Sequence, residues 1–278
     1  AETGVTITVT PTAFTIADGA TQELTITANV DAATIGNWYF GDVQLTEDSS
    51  ASPDVHMPVA VFPSAGVVPE HLFIDTRRNA GSKLLEGLQA IEITERTHEY
   101  FGLAKGEQEN FTLLEDPTTG DPYDDSDQVH ISMFTVPANT ARFVTEITAS
   151  TSLDLDLFVL FDDGSGAVEI GMSATGAVLE YFDLMNPPAG DYYIVVQNWT
   201  SSVVDEADDV TLSTGIITND ADNAYIEGPD AVAKGVLFDL RYFWDIPEMV
   251  ANDRYYGVFT LGTDAAHPDN IATVPVDL

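Results

Sequence analysis

The sequence predicts an all-β fold made of antiparallel β-sandwiches. Three observations carry this. Apolar and polar residues alternate with period two in run after run, as in VTITVT (Val5 to Thr10) and LDLDLFVLF (Leu153 to Phe161). The runs are rich in Thr, Val, Ile and aromatics and are broken by Gly, Pro, Asp and Asn. Strong helical periodicity is nearly absent. Layered sheets are how such a chain hides one face of each strand.

The elements follow in order. VTITVT and ELTITANV (Glu23 to Val30) read as strands joined through a turn at Gly19 that needs positive φ. NWYFGDVQLTE (Asn37 to Glu47) leads through a polar loop to HMPVAVFP (His56 to Pro63). GSKLLEGLQAIEI has some helical look, but Gly87 and its β-branched tail favour strands, including LQAIEIT (Leu88 to Thr94). VTEITAS (Val144 to Ser150), Leu153 to Phe161 and YYIVVQNW (Tyr192 to Trp199) are the central strands. Late in the chain, DRYYGVFTLGT (Asp253 to Thr263) and TVPVDL (Thr273 to Leu278) repeat the early unit: Gly41 aligns with Gly257, Leu45 with Leu261 and Pro58 with Pro275. Gly235 stands where Gly19 stood, at a turn. The repeat predicts two copies of one β-meander with a different block between.

Composition bounds the function. Hydrophobic residues make up 44% of the 278, enough for real cores. Lys plus Arg is 9 against 46 Asp plus Glu, a net charge of −37, which repels nucleic acid and anionic membranes as partners. The acidity reads either as solubility in a salty or extracellular medium, or as a set of ligands for hard cations. Cysteine is absent, so disulfides, thiolate metal sites and cysteine nucleophiles are excluded. No apolar run approaches the roughly 18 residues of a membrane span. AETGVTITVT has no basic start or apolar centre, so a secretory signal is expected upstream or already removed, and a start almost inside a strand suggests a fragment of something longer.

Two further blocks of residues carry a family resemblance. VTPTAFTIADGATQELTI, WYFGDVQLTE and HMPVAVFP together resemble the second half of the fibronectin type III-like domain that follows the catalytic domain in many subtilisin-like serine proteases. VPANTARFVTEITASTSLDLDLFVLF, with LEYFDLMNPPAGDYYIVVQNW, resembles the bacterial pre-peptidase C-terminal domain, a jelly-roll-like sandwich. Its marks are VPA (Val136 to Ala138), the run Asp154 to Leu157, and PAGDYYIVV (Pro188 to Val196). The final block is similar to the terminal domain of such secreted subtilases. The division expected is 1–66, an incomplete fibronectin-like unit; 67–116, strands joining the last sandwich; 117–218, the pre-peptidase-like domain; and 219–278, the terminal fibronectin-like unit. RNAGS, at the head of the second segment, is similar to the start of a missing first half, which would make the central domain an insertion.

The resemblance implies a non-catalytic accessory region of a secreted, bacterial subtilisin-like protease. Its expected partners are the parent's catalytic domain and protein substrate. The alternative is an independent extracellular binding or adhesin module. Residue chemistry agrees with a silent chain: GMSATG (Gly171 to Gly176) lacks the helix of a subtilase nucleophile motif, and GSG at 164–166 is a turn. His56, His71, His98, His130 and His267 stand at no metal-ligand spacing.

Calcium is the expected cofactor, on the acidic loop LEDPTTGDPYDDSDQ. Glu115, Asp116, Asp121, Asp124, Asp125 and Asp127 put six acids in thirteen residues, and Pro117, Pro122, Gly120 and Tyr123 suggest an ordered turn. The resemblance adds that some pre-peptidase C-terminal domains bind calcium near their start. The competing reading is a solvated acidic linker. Asp154 and Asp156 are weaker candidates, sharing a strand face opposite the core that is expected to meet solvent or the loop acids. Asp162, Asp163 and Glu169 read as a hairpin turn, and DEADD (Asp205 to Asp209) as a solvated loop. Tyr192, Tyr193 and Trp199, and Tyr242, Phe243 and Trp244, are expected to divide between core packing and a substrate platform. The sequons at Asn110 and Asn198 carry little weight in a bacterial chain.

Overall fold

A computed structural model describes residues 2–49, 53–218 and 222–278. The boundary expected at 218/219 abuts residues 219–221, which lie outside the described residues. The chain is all-β, and its sheets are antiparallel apart from one short pair. It divides into two units, one ending at Val67 and one from Val68 to Leu278.

The first unit holds two hairpins and a short strand. Strand β1 (Thr6–Thr10) pairs with β2 (Thr25–Asn29), and β3 (Tyr39–Leu45) pairs with β4 (Val55–Val61); β5 is Gly66–Val67. Each strand of the two hairpins has one partner, so four edges stay open among the described residues. Burial is sparse: Val5, Val43 and Ala65 are buried, while all of β2 is exposed. Gly19 turns the chain at φ 73°, the left-handed conformation its place in the sequence demanded.

The second unit contains two sandwiches of two sheets each, built from β6 (Leu72–Phe73), β7 (Ala80–Ala90), β8 (Tyr100–Lys105), β9 (Glu107–Leu113), β10 (His130–Val136), β11 (Arg142–Ser150), β12 (Asp154–Asp162), β13 (Val168–Ser173), β14 (Tyr181–Met185), β15 (Gly190–Thr200), β16 (Asp208–Ile217), β17 (Ala224–Glu227), β18 (Phe238–Asp245), β19 (Tyr255–Leu261) and β20 (Ala272–Asp277). The central sandwich packs the sheet β10-β15-β12-β13 against β14-β11-β16-β9. Between them lie Phe143, Ile147, Leu155, Leu157, Val159, Tyr192, Ile194 and Leu212, each nearly or wholly out of water. The terminal sandwich joins β17-β18-β7 to β6-β20-β19-β8 around Leu85, Leu103, Leu240, Trp244, Phe259 and Val276.

The early strands and the last block share this terminal core. Leu85 on β7 pairs with Leu240, and Ala104 on β8 pairs with Tyr256. The stretch 67–116 does not act as one piece, however. β9 leaves the terminal sandwich at Gly106 and pairs with β16, placing Glu107–Leu113 in the central sandwich. The cause is local: Gly106 lets the chain pass close beside Tyr256 and Ser213, where a Cβ would collide. β6 pairs with β20 in parallel over two residues, the exception to antiparallel pairing.

The two sandwiches of this unit are welded at one side. Tyr256 is fully buried with Val144 and Ile217, and its hydroxyl donates to Glu146 (2.7 Å) and meets Ser213 (2.9 Å). Arg142, also fully buried, pairs with Asp183 (2.8 Å) and Asp277 (2.7 Å) and donates to the carbonyls of Gly257 and Val276. Burial would raise the Asp277 carboxyl, but His71 and Arg142 outweigh it and hold the pKa below the usual range.

Candidate functional site

The acidic residues fall into two sets that behave differently. In the loop, Glu115 accepts from the Ser201 backbone N–H and hydroxyl (2.9 and 2.8 Å), which lowers its pKa. Asp116 is buried, accepting from Gln197 Nε2 (2.5 Å) and from the Thr118 N–H. Asp121 and Asp125 cap their own turns, accepting from the N–H of Tyr123 and Asp127. Asp124 and Asp127 stand exposed. Six neighbours in sequence are therefore spread along an ordered loop.

The second set sits on the strands. β12 turns Leu155, Leu157 and Val159 into the core and Asp154, Asp156, Phe158 and Leu160 to the outer face. Of the two surroundings expected for that face, solvent or the acidic loop, Asp156 has the second: it is buried. The loop explains this. Asp156 pairs across the sheet with Gln197, Gln197 is held by Asp116 and the Thr119 carbonyl, and Tyr123 lies edge-on to Phe158. Asp154, Asp156 and buried Glu180 share this corner; Glu180 accepts from Ser173 and Thr175. Burial, then the nearby charges of Asp154 and Glu180, push the Asp156 carboxyl up to about 6. Burial raises Asp154 as well. Two acceptors here, Asp154 Oδ1 and Gln197 Oε1, are buried without a hydrogen-bond donor.

The donors are oxygens, the right chemistry for a hard cation. Their placement does not fit one: among the described residues no group of three or more Asp, Glu or His side chains is arranged to hold a metal ion. Glu180, Gln197 and Asp208 were not found from sequence. Asp208, inside the run read as a solvated loop, is buried beneath Ser202, Asn198 and Thr151; burial raises its pKa, but these hydrogen bonds outweigh that and lower it. Parity with Tyr193 and Val195 in YYIVVQNW was the available signal for Gln197.

One arrangement brings serine, histidine and glutamate together. His130 Nε2 lies 3.0 Å from Ser132 Oγ and 3.2 Å from Glu109 Oε2. Ser132 donates to that same Glu109 oxygen at 2.7 Å. A hydrolytic triad needs the base between nucleophile and acid, using its two different nitrogens. Here one nitrogen faces both groups and the serine proton is committed to the carboxylate. The ring stacks on Phe111 at 3.5 Å and ties β9 to β10.

A cavity of about 370 Å³ opens beside Arg77, Asn79, Val250, Asp253, Arg254 and Leu278 in the terminal sandwich. Its polar groups are largely engaged: Asn79 donates to the Pro247 and Met249 carbonyls, and Asp253 binds Lys105 and the Val250 N–H.

The outer face of the sheet β10-β15-β12-β13 remains. Across it run Ile131 and Met133, then Tyr193 and Val195, then Phe158 and Leu160, then Ile170 and Met172. The inner members are packed down, whereas Met133 and Met172 at the two sides are 60% and 61% exposed.

No family model matches the sequence, and no curated protein matches it. Among solved structures, the Yersinia pseudotuberculosis-derived mitogen aligns with 47% of this chain and 97% of its own, at 13% identity and TM-score 0.29. The M60 catalytic domain with two CBM51 domains from Clostridium perfringens ZmpB aligns at 10% identity and TM-score 0.22, covering 89% of this chain and 27% of that one. A GH2 beta-galacturonidase from Eisenbergiella tayi aligns at 11% identity and TM-score 0.22, over 74% and 44%. Likenesses this distant carry no argument about function.

Proposed function

We propose that the chain is a non-catalytic accessory region of a secreted, bacterial subtilisin-like serine protease, with a pre-peptidase C-terminal-like sandwich inserted in fibronectin type III-like surroundings. Its role is to engage protein, either the parent's catalytic domain or substrate. The observation that supports the protein-engaging part is the apolar side chains left exposed at the two sides of the central sandwich's outer face, Ile131 and Met133 on β10 and Ile170 and Met172 on β13. Exposed apolar patches mark interaction surfaces on stable modules. The subtilase part rests on the motifs VPA, Asp154 to Leu157 and PAGDYYIVV. The wiring of Ser132, His130 and Glu109 supports a silent chain, because the serine is tied to the acid rather than activated by the base.

Calcium stays within the proposal only as an ion of the 115–127 loop that would have to draw the loop acids together. No step of the function runs through it.

The coding sequence upstream of Ala1 tests the reading. An α/β domain with a GTS-containing nucleophile helix supports it. Further β-repeats in that place overturn the protease assignment in favour of an adhesin-like binding module.

A further inference from the structure

We infer that the outer face of the β3–β4 hairpin in the first unit binds a neutral polysaccharide chain. The inference goes beyond the protease reading and does not depend on it.

The face is built by alternation. On β3, Tyr39, Gly41, Val43 and Leu45 turn inward, and Val43 is buried. Phe40, Asp42 and Gln44 turn the other way, beside Ala60, Pro58 and His56 of β4. Trp38, just before β3, and Phe62, just after β4, extend the same face, their ring centroids 5.1 Å apart. Trp38 also lies 6.3 Å from Phe40, with the two rings within 16° of parallel. All eight residues of this face are exposed, and the three rings are the most conspicuous: Trp38 is 58% open, Phe40 57% and Phe62 48%. A cross-strand pair such as Trp38 with Phe62 steadies a hairpin. Phe40 has no such role, because the residue opposite it is Ala60.

The order of residues along the face selects the ligand. Aromatic carbon at one end gives way to polar groups at the other. His56 Nε2 stands 3.7 Å from Asp42 Oδ2, too far for a hydrogen bond, so both side chains keep that capacity for a ligand. Gln44 donates one amide proton to Asp54 (3.0 Å) and turns the rest of its amide to solvent. From Trp38 to Gln44 the strip is roughly 20 Å long at ~3.3 Å per residue, and its two strands are ~4.8 Å apart. A sugar ring has C–H groups on its faces and hydroxyls around its rim. It stacks on the aromatic end while its hydroxyls, or those of the next unit, reach carboxylate, imidazole and amide. Ala60 and Pro58 are low, so a chain has a floor over β4 between Phe62 and His56.

Other occupants fit less well. A helix is about 10–12 Å across and overhangs two strands. An extended peptide takes its hydrogen bonds from a strand edge, not from a face. Nucleic acid, acidic glycans and anionic lipid are repelled, because residues 1–67 hold eight Asp or Glu and no Lys or Arg.

Titration calorimetry of the full chain tests this. The probes are three neutral polymers, hydroxyethyl cellulose, galactomannan and dextran, with alginate as an acidic glycan and a casein digest as polypeptide. Trp38→Ala with Phe40→Ala removes the aromatic end. Asp42→Asn leaves the rings in place and reads the polar end apart from the hairpin's stability. Tyr225→Ala removes an exposed ring from the terminal sandwich as a control. The expected result is that at least one neutral polymer binds the wild type, equally at low and high salt, and that alginate does not. The aromatic variant should bind that polymer about tenfold more weakly or worse, a loss of about 1.4 kcal/mol. Asp42→Asn should bind it several-fold more weakly, and Tyr225→Ala like the wild type. No binding of any neutral polymer, insensitivity to either hairpin variant, equal loss in the control, or equal binding of alginate would each overturn the inference. Binding of the casein digest in place of the glycans would make the face a polypeptide site and overturn it too. Whatever domain lies upstream of Ala1, this titration is unchanged.

Discussion

The two sandwiches of the second unit handle their acids in opposite ways. In the terminal sandwich, carboxylates meet cations: Asp253 with Lys105 at 2.6 Å, Asp230 with Arg96 at 3.9 Å, and Asp277 with Arg142 across the weld. In the central sandwich, away from the weld where Asp183 and Glu146 meet Arg142 and Arg254, carboxylates meet hydroxyls and amides: Glu115 with Ser201, Glu180 with Thr175, Asp208 with Ser202 and Asn198, Glu169 with Tyr123. Both solutions satisfy oxygens. Only the first neutralises charge. The contrast teaches that hydrogen-bond satisfaction and electrostatic balance are separate requirements, and that a module can meet the first while keeping a field available to a partner.

The weld is where that contrast is easiest to break. Arg142→Met removes the one Lys or Arg of the central sandwich's strands and leaves the half-buried carboxylates of Asp183 and Asp277 beside each other, with His71 as the remaining partner of Asp277. Breaking a fully buried pair costs about 3–5 kcal/mol, and this part-shielded one should cost about 3 kcal/mol. Denaturant unfolding of the variant should show a loss of this size. A change under ~1 kcal/mol would mean that Arg142 does not hold the weld as described.

Tyr256→Phe is expected to cost less, about 1–2 kcal/mol, because it takes the phenol hydroxyl away from Glu146 and Ser213 while Arg254 still reaches Glu146 and the ring stays between the sheets. The same site asks for glycine on its other side. A Cβ at Gly215 would strike the Tyr256 ring at 2.5 Å, so Gly215→Ala should also loosen the weld, read as faster amide exchange in β16 and β19.

The buried acid corner gives a pH signature. The Asp156 carboxyl, at about 6, lies above the ordinary aspartate value of roughly 3.9. The folded state therefore holds its proton more tightly than the unfolded state does. Its contribution to stability is present in full below about pH 4 and is lost as pH rises through about 6. Asp156→Asn should match wild type near pH 4 and be the more stable protein at pH 8. Parallel stability curves across that window would show that the loop does not shield this corner.

The smallest effect expected is from calcium. If the ion gathers the loop acids, melts in calcium and in chelator differ, and Asp124→Ala with Asp125→Ala removes the difference. Identical melts of the wild-type protein return the loop to a hydrogen-bonded turn without a metal.

Much of this fold was legible from residue patterns. Period-two runs located β1, β2, β11, β12 and β15, and Gly19 and Gly235 were marked as turn positions with positive φ, which they adopt at 73° and 74°. The packing of the strand carrying Tyr256 with strands before residue 116 was expected from RNAGS, which resembles the start of a missing first half, and from a final block too short to bury a core alone; β19 pairs with β8. What was not legible depends on tertiary covering. Asp156 alternates out of the core in sequence, and only the loop laid over Gln197 buries it. Asp208 sits in a run of charge that looks solvated, and only the folded Ser202 and Asn198 enclose it. β9 belongs to the central sandwich because of how closely Gly106 approaches Tyr256, which no local pattern reports. β13 was not read as a strand: VEIGMS (Val168 to Ser173) alternates apolar and polar residues but is short and follows a run of turn residues, and its apolar members Val168, Ile170 and Met172 face out instead of into the core.

Amide hydrogen exchange of the full chain tests most directly whether hydrogen bonds from neutral side chains hold the acidic loop on the central sandwich. The account predicts that Tyr123→Ala with Gln197→Ala, which removes the loop's contacts with Phe158, Glu169 and Asp116, speeds exchange over residues 116–129 and leaves β7 and β18 unchanged. Loop exchange that stays as in the wild type, or that rises evenly over both sandwiches, would contradict it.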